Sequence, residues 1–222
     1  MKLALFDLDG TLLPIDSDHA FGEFLIAIGW ADADSYRRAN DAFYEQYKAE
    51  RLDIDAYVDF CTAPWRDRPA HEIAAAQQRF VDEVARPALR SSALALVQRH
   101  RDAGDLLAVV TATNEFVTRP IAQLFGIGEL IATELARDTQ GRVTGAIRGT
   151  PAFRAGKVDR VGDWLRAQGR DWGDFDAQVF YSDSTNDLAL LERVSHPVAT
   201  NPGPALEAVA QQRGWPILKL FP

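Results

Sequence analysis

The chain has 222 residues, of which 47% are hydrophobic, and it carries a formal net charge of -8 with an isoelectric point near 5.0. This length allows a sizeable buried core, in one large domain or in a core with an insert. The negative charge and the lack of any run of Lys or Arg argue against a protein that binds the phosphate backbone of nucleic acids. The single cysteine, Cys61, excludes an internal disulfide or a multi-cysteine metal site and suits a reducing compartment.

No apolar stretch reaches the roughly 18 residues that a membrane-spanning helix needs, and the chain opens with a buried strand rather than a signal peptide. The sequence therefore predicts a cytoplasmic protein with no membrane or nucleic-acid partner, and it leaves the oligomeric state open. A small anionic substrate is compatible with the overall charge, because it needs only local cations.

The first predicted strand ends in two aspartates. Residues Leu3–Phe6 form a continuous apolar run, which is typical of a strand buried on both faces of a parallel sheet. Asp7 and Asp9 follow at its carboxyl end, the edge where open α/β sheets bind ligands. Two carboxylates this close repel each other unless a cation or a shared proton compensates. A bound Mg²⁺ is the simplest compensation.

The segment 15–88 differs from the rest of the chain, because it has helical periodicity and almost no strand signal. Capping residues predict four helix starts, at Asp18, at Asp32 or Asp34, at Asp53 and at Pro69. We expect these helices to form a small bundle that is inserted after the first strand as a cap. Residues 1–14 and 89–222 then make up the core domain.

The remainder alternates between helices and strands, which predicts an α/β fold with a Rossmann-like, three-layer core around a parallel sheet. An antiparallel hairpin is also expected, from residues 130–136 and 142–147 around a turn at 138–141. The other predicted helices are 91–100, 115–125, 157–168 and 186–193, and the other predicted strands are 106–111, 177–181, 197–200 and 217–220.

The string Asp7-Leu8-Asp9-Gly10-Thr11 resembles the first motif of the haloacid dehalogenase (HAD) superfamily, Asp-x-Asp-Gly-Thr. An Asp-Gly turn that closes a hairpin is the alternative, but the residues that follow do not continue as an alternating partner strand. Three later segments resemble the remaining motifs in the family's order. They are Thr111 with Ala112 after a strand, Lys157 at a helix start, and Asp183 to Asp187 after another strand. Each could be structural by itself, and their joint occurrence in order indicates the family.

The resemblance implies phosphatase chemistry at the two aspartates. Mg²⁺ would be held by Asp7, Asp183 and the backbone carbonyl of Asp9. Asp7 would attack phosphorus to give an aspartyl-phosphate. Asp9 would protonate the leaving oxygen and later deprotonate water. An acid/base at this position separates the phosphatases of the superfamily from its dehalogenases.

The same resemblance implies how the phosphate is held. The phosphate-binding candidates are Thr111, Ala112, Lys157 and Asn186. Asp187 would orient Lys157 or the water around the metal rather than bind the metal. The expected function is therefore Mg²⁺-dependent hydrolysis of a small phosphorylated metabolite. A phosphotransferase with the same intermediate and a non-catalytic phosphate-binding module are the alternatives.

Substrate choice is expected in the helical insert, which looks like the cap of the phosphoserine phosphatase branch. The acidic position that binds ammonium in that branch falls at Asp16, whereas the position of its carboxylate-binding Arg falls near Cys61, which cannot pair with a carboxylate. Arg51, Arg66 or Arg68 could compensate. An amine-bearing phosphate without a carboxylate, such as histidinol phosphate, would need acids and aromatic rings but no Arg. The candidate substrate contacts are Asp16, Asp18 and His19, with a Tyr or Trp65 as a stacking surface.

Overall fold

A six-stranded parallel sheet and a separate two-stranded ribbon organise the fold; the computed structural model describes residues 1–221. The strands are β1 (Leu3–Phe6), β2 (Leu106–Asn114), β3 (Glu129–Thr133), β4 (Leu135–Arg137), β5 (Val143–Ile147), β6 (Gln178–Ser182), β7 (His196–Thr200) and β8 (Ile217–Leu218). The order across the large sheet is β3-β2-β1-β6-β7-β8, and every neighbouring pair is parallel. The strand that precedes the two aspartates therefore lies in the middle of the sheet.

Both faces of this sheet are buried. Successive side chains of a strand point to opposite faces, so each strand contributes to two separate clusters. Ala4 and Phe6 belong to one cluster of buried side chains, whereas Leu3 and Leu5 belong to another. Leu5 pairs with Phe180 of β6, which lies in the same cluster. Helices contribute to both clusters, so the core has three layers. The prediction of an α/β, Rossmann-like core with a parallel sheet is confirmed.

Between β1 and β2 the chain is helical, as the sequence predicts. The segments are α1 (Ser17–Ala27), α2 (Ala33–Lys48), α3 (Ile54–Thr62), α4 (Ala70–Phe80), a π-helical turn (Val81–Ala85) and α5 (Arg86–Ala88). The later helices are α6 (Ser91–Asp102), α7 (Glu115–Leu124), α8 (Gly156–Ala167), α9 (Leu188–Arg193) and α10 (Pro204–Arg213), with 3₁₀ turns at Trp172–Asp174 and Thr185–Asp187. No helix within residues 1–221 is both long and apolar enough to cross a membrane. The domain limits 15–88 stay a prediction.

The first helix starts differently from the prediction. Asp16, not Asp18, is the N-cap of α1: its backbone is extended, with φ -85° and ψ 114°, and its side chain accepts a hydrogen bond from the His19 amide. Asp18 lies in the first turn with a buried side chain. Asp32 and Asp53 cap α2 and α3 in the same way as Asp16 caps α1. The prediction of Asp18 as a cap was wrong because two acids only two residues apart fit a helix start equally well.

The predicted hairpin is also only partly correct. Residues Glu129–Thr133 pair with β2 in parallel and form the edge of the large sheet, so they do not belong to the hairpin. Only Leu135–Arg137 pairs antiparallel with Val143–Ile147. The physical reason is burial: Ile131 and Ala132 are both buried, which a strand of the exposed ribbon would not allow.

Candidate active site

The predicted core residues meet at one edge of the sheet. Asp7 follows β1, Thr111 lies in β2 and Asp183 follows β6, and these three strands are neighbours. Because parallel strands place their carboxyl ends at the same edge, the three side chains converge there. Asp7 and Thr111 are buried, and both line a cavity under the helical segment.

Lys157 connects two of the aspartates. Its ammonium donates to Asp7 Oδ1 at 2.9 Å and to Asp187 Oδ2 at 2.7 Å, and all three side chains are buried. Burial by itself would lower the pKa of Lys157, but the charges of Asp187 and Asp7 outweigh it and hold that pKa above its ordinary value. Lys157 is therefore a fixed positive charge at the inner wall of the site. Ser182, which the sequence analysis does not single out, also donates to Asp187, at 2.8 Å.

The pair Asp7 and Asp183 fits a divalent metal ion. The hydroxyl of Thr11 lies 3.4 Å from Asp7 Oδ2 and 3.2 Å from Asp183 Oδ1, so the two carboxylates face each other across it. Burial, followed by the charges of Asp7 and Asp187, raises the pKa of Asp183 well above its ordinary value. A bound Mg²⁺ would relieve this repulsion. Within the described chain no three His, Cys, Asp or Glu side chains form a metal cluster, so the other ligands would be the Asp9 carbonyl, water and substrate oxygens.

Asp9 is held in a different way from Asp7. Its Oδ1 accepts from the amide of Ser17 at 2.9 Å, and its Oδ2 accepts from the hydroxyl of Thr113 at 3.0 Å. Burial, followed by the charge of Asp16, raises the pKa of Asp9 well above its ordinary value. Asp9 therefore keeps a proton to a higher pH than an exposed aspartate, as a general acid requires. The structure adds Ser17 and Thr113, which the sequence pattern does not distinguish from other hydroxyl residues.

The predicted phosphate-binding residues divide into two groups. Thr111 and Ala112 line the cavity beside Asp7, and the Thr113 amide donates to Thr111 Oγ1 at 3.2 Å. The Asn186 side chain, by contrast, is occupied by other protein groups. Its Nδ2 donates to the carbonyl of Tyr47 at 3.2 Å and to Ser184 Oγ at 3.3 Å, and its Oδ1 accepts from Arg154 Nε at 3.4 Å. Asn186 thus joins the edge of the sheet to the end of α2.

The cavity continues from the aspartates into a chamber enclosed by the helical segment, and we use the term chamber for this outer part. Its lining side chains from that segment are acidic, aromatic, apolar or amide groups, together with one histidine, and none is Lys or Arg. They are Asp16, Asp18, His19, Asn40, Phe43, Tyr44, Tyr47, Leu52, Ile54 and Tyr57. Arg51, Arg66 and Arg68, which could have compensated for the missing Arg, are absent from this lining. Arg66 pairs with Asp59, and Arg68 lies over the ring of Trp30.

Cys61, at the position of the missing Arg, and Trp65, suggested as a stacking surface, both contribute to the fold. Cys61 is buried in α3, with its thiol directed to the carbonyl of Val58. Trp65 is buried and stacks on Phe116 with ring centroids 4.3 Å apart. Neither lines the chamber, and the aromatic surface there comes from tyrosines instead.

Asp18 is the more deeply buried of the two acids in the chamber, Asp16 and Asp18. Its side chain is 6% exposed and accepts a hydrogen bond from Asn114 Nδ2 at 3.4 Å, with the Tyr57 hydroxyl on the same side of the chamber. Burial, followed by the charge of Asp16, raises the pKa of Asp18 to about 7. Burial also raises the pKa of Asp16, which caps α1. His19 lies at the chamber wall and contacts Asp41 at 2.8 Å.

Comparison with known proteins fits this geometry. Residues 4–192 match the family described as haloacid dehalogenase-like hydrolase. The chain belongs to this family. It is 43% identical to a histidinol-phosphatase of Neisseria meningitidis over 98% of both chains, and 30% identical to phosphoserine phosphatase SerB1 of Mycobacterium tuberculosis over 96% of this chain and 69% of that protein. The HAD hydrolase predicted from the motifs is confirmed as a phosphoric monoester hydrolase.

Solved structures agree with the fold. A protein of unknown function from Bordetella pertussis Tohama I superposes with a TM-score of 0.93 and 48% identity, with 99% of each chain covered. A substrate-bound phosphoserine phosphatase superposes with a TM-score of 0.69 over 98% of this chain and 92% of that one. At 16% identity the second likeness shows the fold alone.

Proposed function

We propose that this HAD hydrolase is a Mg²⁺-dependent phosphatase for a small amine-bearing phosphomonoester, and that histidinol phosphate is its leading candidate substrate. The observation that carries the proposal is the chamber, in which the buried carboxylate of Asp18 and the half-buried carboxylate of Asp16 face aromatic rings and no Lys or Arg side chain. A substrate cation would compensate these charges, whereas a substrate carboxylate would meet no Lys or Arg in the chamber lining; Lys48, 4.7 Å from the ring of Tyr44, lines the adjoining cleft instead. The histidinol-phosphatase relative at 43% identity supports the same substrate class.

In this proposal the chain has a cap and a core. Residues 15–88 form the cap, and residues 1–14 and 89–222 form the core. The cap supplies most of the chamber, while the core supplies the aspartates, Thr111 and Lys157. Enclosing the leaving group between them excludes water from the phosphoryl group during transfer.

Asp7 is the proposed nucleophile. Lys157 holds Asp7 Oδ1 at 2.9 Å and so fixes the orientation of the carboxylate that would attack phosphorus in line with the leaving oxygen. As the bond from Asp7 to phosphorus forms, the ester bond breaks and the proton of Asp9 passes to the leaving alcohol. Asp9 then takes a proton from water, which attacks phosphorus and releases phosphate from Asp7. Mg²⁺, held by Asp7, Asp183 and the Asp9 carbonyl, would neutralise the phosphate dianion.

The remaining core residues hold the phosphoryl group. Thr111 and the backbone amide of Ala112 lie beside Asp7 in the cavity and would donate to its oxygens. Lys157 adds a fixed positive charge, and Asp187 keeps the ammonium in place at 2.7 Å. Asn186 contributes mainly by linking this site to the cap through Tyr47.

The leaving group occupies the chamber. Asp18, with Asp16 beside it, binds the ammonium of the substrate through charge-assisted hydrogen bonds. The tyrosine rings offer flat surfaces to an imidazole and attract its cationic form. His19 shapes the wall of the chamber through its contact with Asp41.

A phosphate-release assay tests the proposal. Purified protein is given histidinol phosphate, phosphoserine and glycerol phosphate at equal concentrations, with Mg²⁺ or with excess chelator. We expect the highest kcat/KM for histidinol phosphate, much lower values for the other two, and no release without Mg²⁺. The Asp7→Asn protein is the control for contaminating phosphatases. A clear preference for phosphoserine would contradict the assignment of the chamber, and release by Asp7→Asn would contradict the mechanism.

A further inference from the structure

Asn201 has an unusual backbone next to the site. It follows β7 with φ 47°, in the left-handed region that side chains other than Gly rarely adopt. Such a conformation costs on the order of 1 kcal/mol and persists only where the surroundings enforce it. Within residues 1–221 only Glu50 and Arg154 share this property among residues other than Gly.

The side-chain amide of Asn201 uses its hydrogen-bonding groups on two separate segments. Its Nδ2 donates to the carbonyls of Gly10 at 2.9 Å and Thr11 at 3.1 Å. Its Oδ1 accepts from the amides of Leu220 at 2.6 Å and Phe221 at 3.2 Å. Two carbonyls on one side and two amides on the other fix which end of the Asn201 side chain faces which segment.

The carbonyls that Asn201 holds belong to the turn after Asp7. Gly10 has φ 73° and lies so close to Asp183 that a Cβ atom there would be 2.4 Å from the carboxylate. Thr11, the next residue, places its hydroxyl between Asp7 and Asp183. This turn therefore separates the two carboxylates that would share the metal.

The turn that contains Asn201 contacts Asp183 as well. The amide of Gly203 donates to the carbonyl of Asp183 at 3.1 Å. Asn201 and Gly203 thus connect the turn after β1 with the loop after β6, although the two loops are far apart in the sequence. The bonds from Leu220 and Phe221 hold the Asn201 side chain against the first of them.

We infer that Asn201 is a positioning residue that sets the separation of Asp7 and Asp183, and that the C-terminal segment holds it in place. This inference rests on the proposed function, since the two carboxylates matter as a pair because they would share Mg²⁺. Residues that orient metal ligands without touching the metal typically contribute a factor of about 10 to 100 in metal affinity or activity.

The test compares Mg²⁺ affinity in wild type, Asn201→Asp and Asn201→Gly by isothermal titration calorimetry. Asn201→Asp keeps the size and the acceptor but turns an oxygen toward the carbonyls of Gly10 and Thr11. Asn201→Gly relieves the left-handed backbone and removes the side chain. We expect both to bind Mg²⁺ about 10-fold or more weakly and to lose about 10- to 100-fold in kcat, with KM changed less than about 3-fold.

Gln211→Glu, an exposed amide-to-acid change in α10, is the matched charge control and should leave all three quantities unchanged. Circular dichroism checks that each variant is folded, and Asn201→Gly decides the question if Asn201→Asp does not fold. Folded variants with Mg²⁺ affinity within about twofold of wild type would overturn the role of Asn201. Wild-type protein that binds no Mg²⁺ would instead contradict the proposed function itself.

Discussion

Replacing Asp18 by Asn removes a charge that the fold accommodates poorly. The pKa of Asp18 rises from the ordinary 3.8 to about 7 on folding. The native protein therefore holds this proton more tightly than the unfolded chain does, so the free energy of unfolding falls as the pH rises from about 4 to about 7. With about 1.4 kcal/mol for each pKa unit, the ionised side chain costs about 4 kcal/mol above pH 7.

The size of this cost sets the expected result. At pH 8 the Asp18→Asn protein should be more stable than wild type by about 3 to 5 kcal/mol, whereas at pH 4 the two should be nearly equal. Urea unfolding at both pH values measures the difference. Asp55→Asn, an exposed acid in the first turn of α3, is the control and should change stability by less than about 1 kcal/mol. Equal stabilities of wild type and Asp18→Asn at pH 8 would refute the reasoning.

The same substitution should harm catalysis selectively. If the ionised Asp18 binds the substrate ammonium, Asp18→Asn loses about 10- to 100-fold in kcat/KM for histidinol phosphate, which corresponds to one charge-assisted hydrogen bond. Hydrolysis of glycerol phosphate, which has no cation, should change by less than about 3-fold. In wild type the KM for histidinol phosphate should fall as the pH passes through about 7, because Asp18 becomes charged. A pH-independent KM would argue against Asp18 as the ammonium partner.

For three further substitutions we expect measurable changes in stability or in kcat. Lys157→Met leaves Asp7 and Asp187 buried without their cation, so we expect urea titration at pH 8 to show a loss of about 3 to 5 kcal/mol. Asp9→Asn cannot move a proton, so steady-state assays should show kcat lowered by about 10²- to 10⁴-fold, with Mg²⁺ affinity unchanged. Gly145→Ala would place a Cβ atom 1.9 Å from Arg66 Nη1 at φ 89°, so calorimetry should show a lower Tm, equivalent to at least about 1 kcal/mol. The matched controls are the exposed Lys219→Met, Asp55→Asn, and Gly149→Ala, which shares a positive φ but has open space around it. A variant that behaves like its control would contradict the corresponding argument.

Sequence patterns are sufficient to predict which residues form the inner part of the site. Short apolar runs predict β1, β2 and β6, and parallel pairing then forces Asp7, Thr111 and Asp183 to one edge. No knowledge of the helices is needed for this step. A residue at the carboxyl end of any of these strands lies at the same edge of the sheet as the others.

The outer part depends on packing that local patterns do not encode. Asp18, Tyr57 and Asn114 meet only because α1, α3 and the end of β2 pack together. Asn201 looks like an ordinary turn residue until Gly10 is seen beside it. These contacts join residues distant in the chain, so periodicity and capping rules cannot predict them.

Local rules also fail where two elements satisfy the same pattern. The alternation through Glu129–Thr133 fits a hairpin strand as well as the edge strand it forms. Helix α10 has no counterpart among the predicted elements, although Pro204 starts it and the left-handed Gly214 follows its end. Tertiary contacts make the choice for Glu129–Thr133, whereas α10 carries local start and stop signals that could have predicted it.

The place of the helical segment in the chain has an evolutionary consequence. The chain leaves the core after β1 and returns before β2, and these strands are nearest neighbours in the sheet. The segment can therefore diverge in length and sequence while the strands that carry the phosphorus chemistry keep their pairing. If the segment sets the choice of leaving group, as proposed, we expect its exchange between relatives to give new leaving-group selectivity on an unchanged phosphoryl-transfer core.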